Sequence, residues 1–353
     1  MRVVHPTTQE SRKRKLLQAA IYHYVRTGKP VGSQVIVDKY NFGMSSATVR
    51  NMLVQLEKEG YLHQPHTSAG RLPTDKGYRF YVDSLLEIQS LAGTEEERIR
   101  KEYEERSKEL EDVMISTSHM LSSLSKYTGL VLSPRLDNSR LRRLQLIPLG
   151  GSQVLVIVVS ETGLIRHRMV HLTRPISVAS LHTISTQLNE RLKGTPLAQV
   201  RTQILHHIES IQREQEQVFS AASDFVRQAF DLKEDEVDLY VQGRENIFKF
   251  PEKDDYNQVS ELMHLIEHKH LLSTVLEKAM KKDGVSIKIG AENAQPELRG
   301  VSLVSSTYKL ADQTVGVLGI LGPKRMEYGR MIALVEGVAR IMNQMLARMT
   351  TDE

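Results

Sequence analysis

The sequence predicts an α+β protein of several domains, in which a small helical N-terminal domain precedes a larger body of strands and helices. First, the chain has 353 residues, which is too long for one ordinary core. Second, the basic excess is N-terminal, since residues 1–86 hold 13 Lys and Arg against 6 Asp and Glu. Third, helical periodicity gives way to short β-prone segments from residue 129 onward.

The composition excludes several classes of protein. The chain has no cysteine, which excludes disulfides, thiolate catalysis and cysteine-ligated zinc, and a reducing cytoplasm is expected. No apolar run is long enough to span a membrane. Residues 1–6 lack the apolar core of a signal peptide, so a soluble, unexported protein is expected. The N-terminal charge excess is typical of a domain that binds a polyanion.

Three helices are predicted within the first sixty residues. Apolar positions recur with helical spacing over residues 15–27. A short second helix is predicted over residues 33–40, with Ser33 as its cap. The third helix is predicted to be capped by Ser45 or Ser46 and to end at Gly60.

The third predicted helix has one apolar face and one polar face. The apolar sector consists of Val49, Met52, Leu53 and Leu56. The opposite sector has no acidic residue and consists of Ala47, Arg50, Asn51, Val54, Gln55 and Lys58. A guanidinium, side-chain amides and a small apolar group are the groups that read base edges in the major groove. The pattern fits a DNA recognition helix, although an amphipathic helix with a merely solvated polar face has the same periodicity.

A turn-rich segment without acidic residues follows the third helix. Residues 61–62 predict a short strand, and residues 65–73 (PHTSAGRLP) predict a loop. The Thr67 and Ser68 hydroxyls can donate hydrogen bonds to phosphate, and Arg71 can supply a cation. We interpret this segment as the wing of a winged helix-turn-helix.

The rest of the chain predicts an α+β body. Thr94 and Glu97 form a capping-box pattern ahead of a charged connecting helix that reaches about Lys126. The predicted strands cover residues 130–132, 141–149, 154–160, 163–170, 237–241, 285–289, 303–308 and 315–321. The predicted helices cover residues 178–192, 197–230, 256–280 and 326–349. This order predicts a sheet whose strands are split by a mainly helical insertion.

Six segments closely resemble the family of heat-inducible transcription repressors HrcA. The N-terminal ones are residues 44–51 (MSSATVRN), 56–62 (LEKEGYL) and 64–79 (QPHTSAGRLPTDKGYR). The C-terminal ones are residues 288–293 (KIGAEN), 302–308 (SLVSSTY) and 319–328 (GILGPKRMEY). The resemblance covers nearly the whole chain and is weakest between about 195 and 280.

The resemblance implies a GAF-like α+β domain that is interrupted by an inserted dimerising domain. The expected divisions are a winged helix-turn-helix over 1–88, a connecting helix over 89–128, a split GAF-like domain over 129–170 and 281–353, and the inserted domain over 171–280.

The residues and the resemblance together predict a transcriptional repressor and no enzymatic activity. A homodimer is expected to place two copies of the third helix in successive major grooves of an inverted-repeat operator in double-stranded DNA. The expected contacts are Ser46, Thr48, Arg50, Asn51, Gln55 and Lys58 on the helix, and His66, Thr67, Ser68 and Arg71 on the wing. The resemblance implies that the operator precedes chaperone operons, that the chaperonin GroEL activates the repressor, and that heat releases the repressor by occupying the chaperonin.

Other sites and functions are weaker interpretations. His264, His268 and His270 lack the other residues of a metalloprotease motif. Three glycines at 316, 319 and 322 alternate with apolar residues as in a packed strand, without the ending of a phosphate-binding loop. No catalytic residue, metal ligand or cofactor is expected. The main alternative is a ligand-sensing regulator with a metabolite pocket in its C-terminal domain, and a more distant one is an RNA-binding module.

Overall fold

The fold is that of a computed structural model, which describes most of the chain. The described residues are 8–66, 69–85, 93–106, 110–134, 140–161, 165–172, 177–197, 199–200, 203, 239–249, 263, 266–310 and 313–351. Within these ranges, no helix is both long enough and apolar enough to cross a membrane.

The N-terminal residues form four helices and a two-stranded sheet, which we call the head. Its elements are α1 (Thr8–Thr27), α2 (Ser33–Lys39), α3 (Ser46–Lys58), β1 (Leu62–His63), β2 (Leu72–Pro73) and α4 (Asp75–Asp83). The three predicted helices are present, and α1 begins seven residues before the predicted start at residue 15. The N-cap of α2 is Gly32 and not the predicted Ser33. The apolar faces of these helices form one core that includes Leu16, Leu17, Ile21, Ile36, Val49, Leu53, Leu56 and Val82.

Two helices replace the single connecting helix that the sequence predicts. They are α5 (Gly93–Arg106) and α6 (Leu110–Ser125). The expected buried side chains of Ile99 and Tyr103 are buried, but Ile115 is 41% exposed. Helix α6 is no solvated connector, because it packs on a sheet strand and on the C-terminal helix and buries Val113 and Leu121.

A five-stranded antiparallel sheet forms the centre of the body. Its strands, in spatial order, are β7 (Leu239–Gln242), β3 (Thr128–Leu132), β10 (Gln313–Pro323), β9 (Val301–Leu310) and β8 (Val285–Ile289). The β9 and β10 pair is the longest and has a register irregularity between Thr314 and Gly316. All of these strands were predicted, and the three glycines of β10 lie in the sheet as expected.

Helices cover both faces of the five-stranded sheet. Helix α6 and the C-terminal helix α9 (Tyr328–Thr351) pack on one face, where Val304 and Leu318 are buried. Helix α8 (Lys269–Met280) packs on the other face, where Leu303 and Val317 are buried. Because both faces are covered, β3 and β9 are buried along nearly their whole length and not only at alternate residues.

Three further strands form a separate antiparallel sheet. They are β4 (Leu141–Gly150), β5 (Gln153–Ser160) and β6 (Ile165–His171), in that spatial order. Helix α7 (Val178–Leu192) packs against β4, and the Asn189 side chain accepts a hydrogen bond from the Leu144 backbone N–H at 2.7 Å. Alternation along β5 buries Val154 and Val156.

Strand pairing corrects the expected grouping of residues 129–170 with residues 281–353. Only β3 of the first range joins the five-stranded sheet, because β4, β5 and β6 pair with one another. Strand β7, expected in the range 171–280, pairs instead with β3 in the five-stranded sheet. Most of the predicted helix over 197–230 and the first part of the helix over 256–280 lie outside the described residues.

Candidate nucleic-acid interface

Helix α3 begins and ends as its sequence predicts. The Ser45 side chain accepts a hydrogen bond from the Thr48 backbone N–H at 3.2 Å, so Ser45 is the N-cap. At the other end Gly60 adopts a φ of 78°, which favours glycine and turns the chain out of the helix. Both ends of α3 are therefore fixed by local hydrogen bonding and backbone geometry.

One side of α3 packs into the head, and the other is open to solvent. Val49, Leu53 and Leu56 are almost completely buried. The exposed residues are Ala47, Thr48, Arg50, Asn51, Gln55 and Lys58, and none of them is acidic. The sequence-predicted face is thus exposed except at Val54, which is partly buried. We call the six exposed residues, which include Thr48, the α3 face.

Two of the predicted helix contacts are already engaged by hydroxyl groups of the head. The Ser46 hydroxyl lies 3.0 Å from that of Ser33 at the start of α2, and Ser46 is only partly exposed. The Thr48 hydroxyl lies 2.9 Å from that of Ser45 and remains exposed. Ser46 therefore ties α2 to α3, while Thr48 remains accessible at the helix N-terminus.

Strands β1 and β2 form a short antiparallel ribbon, and residues 64–71 connect them. Leu62 pairs with Pro73 and His63 with Leu72, and the Gln64 side chain donates a hydrogen bond to the Ala69 carbonyl at 2.8 Å. His66 in this loop is exposed. Thr67 and Ser68, also predicted to contact DNA, lie outside the described residues.

Arg71 lies directly before β2, where the loop joins the ribbon, and its side chain points into the head. Its Nε donates to Glu57 Oε2 at 3.1 Å, and its side chain is only 11% exposed. Its backbone pairs with Val31, with N–H to carbonyl hydrogen bonds of 2.9 Å in each direction. Arg71 therefore joins the ribbon to α3 and to the segment before α2.

A basic segment of α1 lies next to α3, and the sequence analysis did not select it. Lys13 Nζ contacts Glu59 Oε1 at 2.7 Å, at the C-terminal end of α3. Its neighbours Arg12, Arg14 and Lys15 are exposed. The run of four basic residues is a visible signal, but only the folded structure shows that it adjoins α3.

His23 on α1 is the buried histidine among the described residues of the head core. Its ring lies edge-on to that of Tyr40, with 6.2 Å between ring centroids. Burial, with a smaller effect of the Lys39 charge, lowers the pKa of His23 below its ordinary value. The neutral form is therefore the one that fits the folded head.

The residues considered for metal binding do not form a site in the described part of the chain. Glu267, His268 and His270 are exposed, and His264 lies outside the described residues. Among the residues that the structure describes, there is no group of three or more histidine or carboxylate side chains that could hold a metal ion.

Comparison with known proteins gives a consistent set of relatives. Residues 111–332 match the family model described as the HrcA protein C-terminal domain. The chain is 38% identical to the heat-inducible transcription repressor HrcA of Geobacter sulfurreducens, over 96% of this chain and 99% of that protein. It is 36% identical to the HrcA of Pelotomaculum thermopropionicum, over 96% of this chain and 97% of that protein.

A solved structure resembles the fold over nearly its whole length. It is a crystal structure of a hypothetical protein, with a TM-score of 0.64 and 25% sequence identity. The match covers 96% of this chain and 98% of that chain.

Proposed function

The chain belongs to the HrcA family of heat-inducible transcription repressors, and we propose that it represses transcription by binding duplex DNA through its head. The observation that carries this proposal is the α3 face, which is exposed, free of carboxylates and rich in base-reading groups. Phosphate contacts by the N-terminal cations would add sequence-independent affinity.

We propose that the head is a winged helix-turn-helix. Helices α2 and α3 supply the helix-turn-helix, and the Ser33 to Ser46 contact supports their fixed relative arrangement. The β1 and β2 ribbon supplies the wing. The pairing of Arg71 with Glu57 supports a role for Arg71 in holding the wing against α3, in place of the phosphate contact that the sequence suggests.

Each exposed group of the interface can be given a role. In this proposal Arg50, Asn51 and Gln55 read base edges in the major groove. Thr48 and Lys58 contact phosphates at the two ends of α3. On the wing, the expected phosphate contacts are His66, Thr67 and Ser68.

We propose a division of the body that follows the sheets. The five-stranded sheet, with helices on both faces, is the GAF-like domain. The three-stranded sheet and α7 belong to the inserted domain, which then lies between β3 and β7, over residues 133–238. This range replaces the expected 171–280 because it places all three strands of the small sheet in the inserted domain and all five strands of the large sheet in the GAF-like domain.

The inserted domain offers a surface for the expected homodimer. On β5, Leu155 points away from the buried Val154 and Val156, and it pairs with Ile147 on β4 and Met169 on β6. Ile147 is 39% exposed and Met169 is 56% exposed. We call this the open sheet face, and a second copy of the chain would remove its apolar surface from water.

The physiological setting is proposed from the family. The relatives are named for heat induction, and the operator we propose is an inverted repeat before chaperone operons in the cytoplasm. Release on heat stress would follow when the chaperonin GroEL, which assists the repressor, is occupied by other unfolded chains.

Footprinting on the chaperone promoters of the source organism tests the proposal. We expect protection of an inverted repeat, with two protected segments on the same face of the duplex about 10 base pairs, or a multiple of this, apart. Binding to a shuffled duplex at the same salt concentration should be at least about 1,000-fold weaker. The absence of any protected repeat would contradict the proposed function.

A further inference from the structure

The C-terminal motifs of the sequence meet the head in a cluster of charged groups, which we call the docking cluster. It joins the start and middle of α4 to the segments around residues 287–292 and 323–328 of the body. Its charged members are Asp75, Arg79, Glu292, Lys324 and Arg325. None of these five residues belongs to the α3 face.

Asp75 and Arg79 of α4 are held by partners of opposite charge and by backbone groups. Asp75 Oδ1 contacts Lys324 Nζ at 3.0 Å, and its Oδ2 accepts the Ala291 backbone N–H at 2.9 Å. The Arg79 guanidinium donates to both carboxylate oxygens of Glu292, through Nε at 2.7 Å, and to the Ile287 carbonyl at 2.7 Å. A bidentate pair of this kind fixes direction as well as distance.

Arg325 holds the head at a second place. Its guanidinium donates at 3.1 Å to the Val25 carbonyl, in the last turn of α1, where a cation also interacts favourably with the helix dipole. Beside it, the Tyr78 and Tyr328 rings lie 6.1 Å apart, and both side chains are buried. The head is thus attached at α1 and at α4, and two separated attachments restrict rotation.

Glycines permit the close approach on each side of the docking cluster. Gly290 of the body has a φ of 50°, and a Cβ there would lie 2.2 Å from the Asp75 carboxylate. Gly28 of the head has a φ of 67°, and a Cβ there would lie 3.2 Å from the Arg325 guanidinium. The backbone is therefore shaped for these contacts on both surfaces.

The docking leaves the DNA-binding surface open. Arg50, Asn51 and Gln55 are exposed in the complete chain, so the body does not cover the α3 face. Helix α4 ends at Asp83 and α5 begins at Gly93. The contacts of the docking cluster hold the head in its orientation on the body.

We propose that Asp75, Arg79, Glu292, Lys324 and Arg325 are positioning residues for operator binding, which lock the head on the body so that a dimer presents its two α3 faces at one fixed separation. The inference rests on the proposed function. Rigid presentation raises the effective concentration of the second head at its half-site, whereas a loosely tethered head loses this advantage.

Glu292→Gln in the full-length protein is the variant that tests the lock. It removes the charge that holds Arg79 and keeps the size of the side chain. Ordinary electrostatics predict that loss of a carboxylate strengthens DNA binding or leaves it unchanged. The proposed positioning role predicts the opposite, a roughly tenfold loss of affinity for the inverted repeat. Asp283→Asn is the matched control, because Asp283 pairs with Lys309 and Thr314 outside the docking cluster.

The measurement compares three duplexes by band shift at one salt concentration. They are the footprinted inverted repeat, the same repeat with five base pairs added between its halves, and a single half-site. Five base pairs rotate one half-site by about half a turn. For Glu292→Gln we expect loss on the natural repeat, no change on the half-site, and a smaller preference for the natural spacing than the wild type has.

Combination with Arg79→Gln adds an internal check. If the two side chains act as one pair, the double variant should lose no more affinity than either single variant. Unchanged spacing preference in Glu292→Gln, or equal loss on all three duplexes, would overturn the inference while the wild type still binds its repeat. A wild-type protein without preference for the repeat would instead refute the proposed function itself.

Discussion

At the scale of single residues, exposed and buried side chains of the head have separable roles. Arg50 and Lys58 are both exposed cations on α3, but they lie near opposite ends of the helix. One is proposed to read bases and the other to contact phosphate. Because these contacts respond differently to DNA sequence, they can be distinguished by substitution.

Arg50→Ala should weaken binding to the operator by about 1–3 kcal/mol and have little effect on random duplex, because a lost bidentate base contact affects only the correct sequence. Lys58→Ala is the control, and it should weaken both complexes by a similar factor and reduce the slope of log K against log salt by about 1. Band shifts over a salt series measure both effects. Equal losses on the two duplexes for Arg50→Ala would remove this residue from base readout.

His23 predicts a pH dependence of stability. Its pKa is lower in the folded protein than in the unfolded chain, so the unfolded chain binds more protons as the pH falls through the unfolded value near 6.5. The contribution of His23 to the free energy of unfolding is therefore complete above that pH and is lost below it.

Thermal unfolding at pH 7.5 and at pH 5.5 checks this prediction with His23→Gln. The wild type should lose more stability than the variant between the two pH values, since the variant has no imidazole to protonate. A difference in melting temperature between the two proteins that is the same at both pH values would show that folding does not lower the pKa of His23.

At the scale of secondary-structure elements, the N-terminus of α3 is fixed by a local hydrogen bond to the Ser45 side chain. Ser45→Ala removes the acceptor for the Thr48 backbone N–H and should lower the free energy of unfolding by about 1 kcal/mol. Ser45→Asn keeps a capping acceptor and serves as the control. Chemical denaturation measures both variants, and equal destabilisation by Ala and Asn would contradict the capping role.

Elements whose signals are local could be predicted from the sequence. Helix α3 has its cap, its apolar stripe and its terminal glycine within the same short segment. The exposure of the α3 face follows from the helical periodicity of that segment. The contacts of Arg71 could not be predicted in this way. Its partner Glu57 lies on another element, and the composition of the wing loop gives no indication of that pairing.

At the scale of the whole molecule, the open sheet face predicts the effect of a charge at the dimer surface. Met169→Glu should shift the protein toward monomers and weaken binding to the inverted repeat, because a buried carboxylate without a partner is costly. Val178→Glu is the control, since Val178 is 67% exposed on α7 and lies outside the open sheet face. Sedimentation equilibrium measures the association, and an unchanged dimer in Met169→Glu would contradict this interface.

The division of the body shows where sequence reasoning fails at this scale. Each strand was predicted from its own residues, but the choice of strand partner depends on segments far apart in the chain. Strands β4, β5 and β6 are consecutive in the chain and pair with their sequence neighbours. Strand β3 instead pairs with β7 and β10, which follow the insertion. Docking of the head is equally nonlocal, since Arg79 meets Glu292 only in the folded molecule.

The position of β3 between β7 and β10 has a consequence for the synthesis of the protein. Strand β3 leaves the ribosome long before β10, because β4 to β9 lie between them in the chain, so the five-stranded sheet cannot close until β10 has been made. Contacts between distant segments also slow folding. During that interval β3 lacks its β10 neighbour, even if β7 has paired with its other edge. Intermediates with unpaired strand edges and exposed apolar surface are prone to aggregation.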